Sequence, residues 1–136
     1  MSSTALEQYP CDVVAHNEVL FVGLSSLTGE RWSGSLVVKS GAGLKEAHTL
    51  PLEHGVAALA VVGQGDDFTV CAGTDAPELQ LFACHKGAAR LAASLPAHGG
   101  PISSVAALAG DRVVSSSQDM RSVVWDVAQR TLTQGE

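Results

Sequence analysis

The sequence predicts an all-β fold assembled from repeated four-stranded units, and three observations predict it. Short apolar runs alternate with Gly, Asp, Asn and Pro along the chain, the pattern of many short strands joined by tight turns. Two residue types recur at one spacing: His54 and His98 stand 44 positions apart, and so do Asp75 and Asp119. The last third carries one complete motif. It runs from Ala97-His98-Gly99-Gly100-Pro101 through Val113-Val114-Ser115-Ser116-Ser117-Gln118-Asp119 to Val123-Val124-Trp125-Asp126.

A turn histidine, a Ser-rich strand ending in Asp, and a strand ending in Trp-Asp together make a WD repeat. Each such repeat is one blade of a β-propeller and spans roughly 40–45 residues. Residues 54–97 form a second, weaker copy, with Phe82 where the Trp would stand. One period further back, Val19–Ser26 and Gly34–Val38 form the first. The chain therefore divides into a tail over 1–10 and blades over about 11–53, 54–97 and 98–136. The clearest strands are Val19–Val22, Leu36–Val38, Val56–Val62, Phe68–Cys71, Leu79–Phe82, Val113–Val114 and Val123–Trp125. Local propensity alone would also allow short helices at Gly87–Ser94 and Val105–Ala109, but the 44-residue period outweighs it. Closed propellers have about four to eight blades. Three blades point to the N-terminal portion of a longer propeller protein or to a truncated product, with self-association of open arrays as the alternative.

Composition narrows the class. Of 136 residues, 46% are hydrophobic and 16% charged, which argues for a packed domain and against disorder. The net charge is -6, and no basic run suited to phosphates is visible, so direct nucleic-acid binding is not expected. Met1–Gln8 lacks the marks of a signal peptide, and no apolar run is long enough to span a membrane. Cys11, Cys71 and Cys84 form no metal-type pair; three unpaired thiols suit a reducing cytoplasmic and nuclear setting.

His98, Ser117, Asp119 and Trp125 read as a buried structural tetrad in which Trp donates to Ser, Ser meets His, and His meets Asp. Ser115 is an alternative to Ser117, because strand alternation puts both on one face. The rival reading is a Ser-His-Asp hydrolase. That chemistry needs an exposed nucleophile on a strained turn, and no G-x-S-x-G is present. No catalytic residue, metal or cofactor is expected. His16, His48, His54 and His85 lack ligand spacing. Gly41-Ala42-Gly43 lacks the strand-to-helix setting of a phosphate loop.

Trp32 stands apart. It lies in Thr28–Gly34, read as a turn-rich surface loop between two strands of the first blade, next to Arg31. An exposed Trp–Arg pair is typical of interface anchors; equally, the indole would suit a cover folded back on its own blade.

The segment Ser25-Ser26-Leu27-Thr28-Gly29-Glu30-Arg31-Trp32-Ser33-Gly34-Ser35-Leu36 resembles the first-blade segment of the methylosome WD-repeat proteins. Those are propeller cofactors of the type II, symmetric-dimethylating protein arginine methyltransferase. Glu18–Gly23, Val70–Asp75 and Val113–Ala128 fall in the same order at similar spacing, so the resemblance covers nearly everything after Cys11. It implies a seven-bladed complete protein whose first-blade Trp, here Trp32, seats in the N-terminal barrel of the methyltransferase, with Leu27, Arg31 and Ser33 as weaker contacts. It further implies Arg-rich substrates, the tails of histones and splicing proteins, presented to an enzyme that performs the methyl transfer itself. Phe82 and the four missing blades depart from the pattern. Outside the resemblance, a WD scaffold of another complex, such as a ubiquitin-ligase substrate receptor, fits the same motifs.

Overall fold

A computed structural model describes residues 9–16, 18–28, 31–41, 43, 45–63, 65–75, 78–85, 88–96, 98–108, 111–127 and 131–135. It contains twelve strands among them: β1 (Tyr9–His16), β2 (Val19–Thr28), β3 (Arg31–Ser40), β4 (Glu46–Leu52), β5 (Val56–Val62), β6 (Asp67–Thr74), β7 (Glu78–His85), β8 (Ala88–Pro96), β9 (Ile102–Ala107), β10 (Arg112–Ser117), β11 (Ser122–Asp126) and β12 (Thr131–Gly135). They form three four-stranded sheets, β1–β4, β5–β8 and β9–β12, each paired in sequence order. Every pairing is antiparallel. This is a partial β-propeller of three blades. The Ala-rich stretches that local propensity would allow as helices are β8 and β9 instead; pairing with β7 and β10 overrides propensity there. No described helix is long and apolar enough to cross a membrane.

The blades meet along their first strands, with β1 against β5 and β5 against β9. The second blade is covered on both sides, which explains its nearly unbroken apolar strands. From β6 and β7, Phe68, Val70, Ala72 and Phe82 join Phe21, Leu36 and Val38 of the first blade in one core. The intervening Cys71, Leu79 and Leu81 join Ile102, Val113 and Trp125 of the third blade in another. A period of two thus divides one blade between two cores.

The junctions repeat one device. Gly73 on β6 faces Ile102 on β9 so closely that an added Cβ would stand 2.5 Å from the Ile102 Cγ2. Gly23 on β2 faces Val56 on β5 in the same way, again 2.5 Å from a Cγ1. Each blade's first strand also shifts register near its start, between Pro10 and Asp12, between Val56 and Ala58, and opposite Ser116/Ser117. Bulges of this kind turn the strand and aim its following residues. Between the first strands, the Asp12 carboxylate accepts the Leu59 N–H at 2.8 Å through one oxygen and the Val13 N–H at 2.9 Å through the other.

Candidate partner-binding rim

The junctions fix which connections share an end of the molecule. At one end, His16 Nε2 meets the Gly65 carbonyl at 2.9 Å, bringing the β1–β2 and β5–β6 turns together. At the other, Gly34 near the base of the β2–β3 hairpin lies against His54 and Gly55. The Gly55 carbonyl accepts the Asp75 N–H at 3.0 Å, at the end of β6. Gly73 abuts Ile102, and the Pro101 carbonyl accepts the Gln118 N–H at 3.3 Å, at the end of β10. The second-to-third-strand connections of all three blades therefore line one rim.

In the third blade this rim is held by His98. Its Nδ1 lies 3.3 and 3.2 Å from the two Asp119 oxygens. An ionised carboxylate only accepts, so Nδ1 carries the proton and Nε2 accepts the Ser115 hydroxyl at 2.9 Å. His98 and Ser115 are buried. Asp119 also accepts the Gly99 N–H at 2.8 Å and the Arg121 N–H at 2.9 Å. The Gly99 N–H is the largest influence holding its carboxyl below the usual range, helped by Arg121 and His98 and opposed by desolvation.

Two members of the expected tetrad are placed differently. Ser117 does not meet His98. It donates toward the Gly100 and Pro101 carbonyls at 3.0 and 2.8 Å and accepts the Asp119 N–H at 3.1 Å. Ser115 lies within β10 and is fully buried beside His98, whereas Ser117 ends the strand and is taken up by the Gly100–Pro101 turn. Trp125 is buried against the neighbouring blade, but its indole N–H has no partner among the described residues. The chain His98–Ser115 ends there. The hydroxyl on His98 is thus fully buried, the reverse of the exposed nucleophile that a Ser-His-Asp hydrolase requires.

The second blade shows what remains when part of this network is replaced. Val70 pairs with Phe82 and Ala72 with Gln80, just as Val113 pairs with Trp125 and Ser115 with Val123. Phe82 and Ala72 thus occupy the Trp and Ser rungs. Asp75 keeps a bond from the Gly55 backbone, but burial dominates and raises its carboxyl, with Gly55 and His54 opposing. One Asp75 oxygen and the Gln80 side-chain oxygen are buried without a partner among the described residues.

The first blade's part of the rim is a hairpin, with strand pairing reaching into the Thr28–Gly34 segment expected as a turn-rich loop. Its last rungs pair Ser26 with Ser33, Leu27 with Trp32 and Thr28 with Arg31. Cross-strand pairing carries the chain as strand to within two residues of the tip, and a Trp opposite a Leu suits such a rung. The side chains of Leu27, Arg31, Trp32 and Ser33 lie outside the described residues.

The opposite end carries an open hollow of about 520 Å³ lined by Val62, Phe68, Ala89 and Val127 among others. On its margin, His85 Nδ1 meets the Asp67 carboxylate. No sequence signal links them, because only the β6–β7 register sets Asp67 opposite His85. Among the described residues no group of three or more His, Cys, Asp or Glu is placed to hold a metal ion.

This architecture is that of WD40 propellers. The chain resembles the crystal structure of the RRP9 WD40 repeats at 15% identity, with a TM-score of 0.77 over 97% of this chain and 39% of that one. It resembles the structure of U3-55K at 14% identity, with a TM-score of 0.78 over 98% and 40%. The crystal structure of HIRA(644-1017) is similar at 19% identity, with a TM-score of 0.57 over 87% and 35%. At these identities the likeness is one of fold, and the chain spans about two fifths of the first two structures' length. No protein-family model and no curated protein matches it.

Proposed function

We propose that this chain is a non-catalytic WD-repeat adaptor that binds a type II protein arginine methyltransferase through its first blade. In this reading Trp32 is the anchor, and Leu27, Arg31 and Ser33 are its neighbours in the contact. The propeller helps present Arg-rich substrates, such as histone tails and splicing proteins, and works in the cytoplasm and nucleus. The observation that carries the proposal is the β2–β3 hairpin. Its outermost rungs hold Leu27 opposite Trp32 and Thr28 opposite Arg31 at the rim, on the segment that resembles the methylosome proteins. A paired hairpin supports an anchor better than a slack loop does, because less conformational entropy is lost on docking. Cys11, Cys71 and Cys84 are joined in no disulfide among the described residues, in keeping with a reducing compartment.

The test is binding of the purified methyltransferase to the wild-type chain and to Trp32→Ala. Removing an indole anchor costs about 2 kcal/mol or more, roughly 30-fold in Kd. An unchanged Kd for Trp32→Ala removes the anchor role. A wild-type chain that does not bind the methyltransferase favours a scaffold of another complex, such as a ubiquitin-ligase substrate receptor.

A further inference from the structure

We propose that Met120 is a second apolar contact on the same rim, seated in a socket of the partner that takes Trp32; the inference rests on the reading above. Met120 is 93% exposed, the most exposed of the large hydrophobic residues described. Its backbone is left-handed, with φ at 68°. That conformation is disfavoured for a residue with a Cβ and suits Gly or Asn. A flexible apolar side chain thus stands in water on a backbone that a glycine would adopt more readily.

The turn beneath Met120 is firmly built. Its N–H donates to the Ser117 carbonyl at 3.1 Å, and the Ser117 N–H reaches the Arg121 carbonyl at 3.2 Å. Asp119 holds the Arg121 N–H on one side and the Gly99 N–H on the other, tying the tip to the buried His98. With the backbone of the turn held beforehand, docking has only the side chain left to order, and methionine adapts well to protein surfaces. The chain of junction contacts from Gly34 through Gly55, Asp75 and Gly73 to Pro101 puts this tip at the same end as the β2–β3 hairpin. One partner surface lying along the rim meets both. Arg121, exposed beside Met120, favours a socket with an acidic margin.

The experiment measures Kd for the purified methyltransferase and thermal midpoint for wild type, Trp32→Ala, Met120→Gly and Met120→Leu. Met120→Gly should raise the midpoint by relieving the left-handed residue while weakening binding by roughly tenfold. Met120→Leu should keep wild-type affinity. Wild-type affinity in Met120→Gly, with binding lost in Trp32→Ala, overturns the second contact and leaves the first. Weakened binding with a lowered midpoint in Met120→Gly overturns it in favour of a structural role, and equal losses in Gly and Leu overturn the apolar socket. A wild-type chain that does not bind overturns both readings.

Discussion

His98 and Ser115, 17 residues apart, share a hydrogen bond of 2.9 Å inside the third blade, and that bond decides which serine the fold depends on. Ser115→Ala leaves a buried ring nitrogen without its donor, a loss of about 1–3 kcal/mol. Ser117→Ala removes bonds whose partners lie nearer to water, and should cost about 0.5–1.5 kcal/mol. Chemical denaturation of the two variants ranks them. A larger loss for Ser117→Ala would contradict the assignment of Ser115 as the His98 partner.

The blade junctions make a second prediction. Gly73→Ala drives a methyl into Ile102 and should destabilise by about 1–3 kcal/mol. Ile102→Ala opens a cavity at the same point and costs about 2–5 kcal/mol alone. Because each change makes room for or fills what the other disturbs, the double variant should lose less than the sum. Strict additivity in a double-mutant cycle would show that the two residues do not touch.

Acid sensitivity separates the two rim aspartates. The folded Asp119 carboxyl titrates below its unfolded value of about 3.9. Its contribution to stability is therefore complete above that pH and fades as pH falls through the lower folded value. Asp75 is shifted the other way. Its contribution is complete below the unfolded value and is lost as pH rises through the folded one. Asp119→Asn should flatten the acid limb of a stability–pH profile, and Asp75→Asn should flatten the part just above it. Identical changes in the two profiles would refute the opposite shifts.

Thiol labelling tests the cores. Burial pushes the Cys71 thiol up to about 12 and the Cys84 thiol to about 11, whereas Cys11 is exposed and raised by partial burial and by Asp75. The thiolate is the reactive form. A native sample at mildly alkaline pH should label at Cys11 first, and all three cysteines should label once the chain is unfolded. Fast labelling of Cys71 in the native state would mean that the junction between the second and third blades opens readily.

Much of this fold was legible because its signals are local. Val56–Val62 is apolar throughout, and β5 is nearly covered on both faces. The motif from His98 to Trp125 names its own turn and strands. Placement of individual side chains was less legible, for definite reasons. Counting by twos leaves Ser115 and Ser117 as equals, and only the fold brings the His98 ring to Ser115 and the Gly100–Pro101 carbonyls to Ser117. Turn-forming residues around Gly29 suggested a loop, but pairing of Leu27 with Trp32 extends the strands beyond what those residues imply. The His85–Asp67 contact depends on register across a hairpin, which no local pattern encodes. Met120 is silent in the sequence, since a lone methionine after Asp carries no mark of its backbone angle.

The Asp12 carboxylate, bonded both to its own strand and to Leu59, also has a mechanical consequence. Peeling the N-terminal strand away under tension has to break a bond to the second blade together with the rungs to β2. Asp12→Ala should let that strand detach at a lower force, so the same carboxylate governs how firmly the leading edge of the array is fastened down.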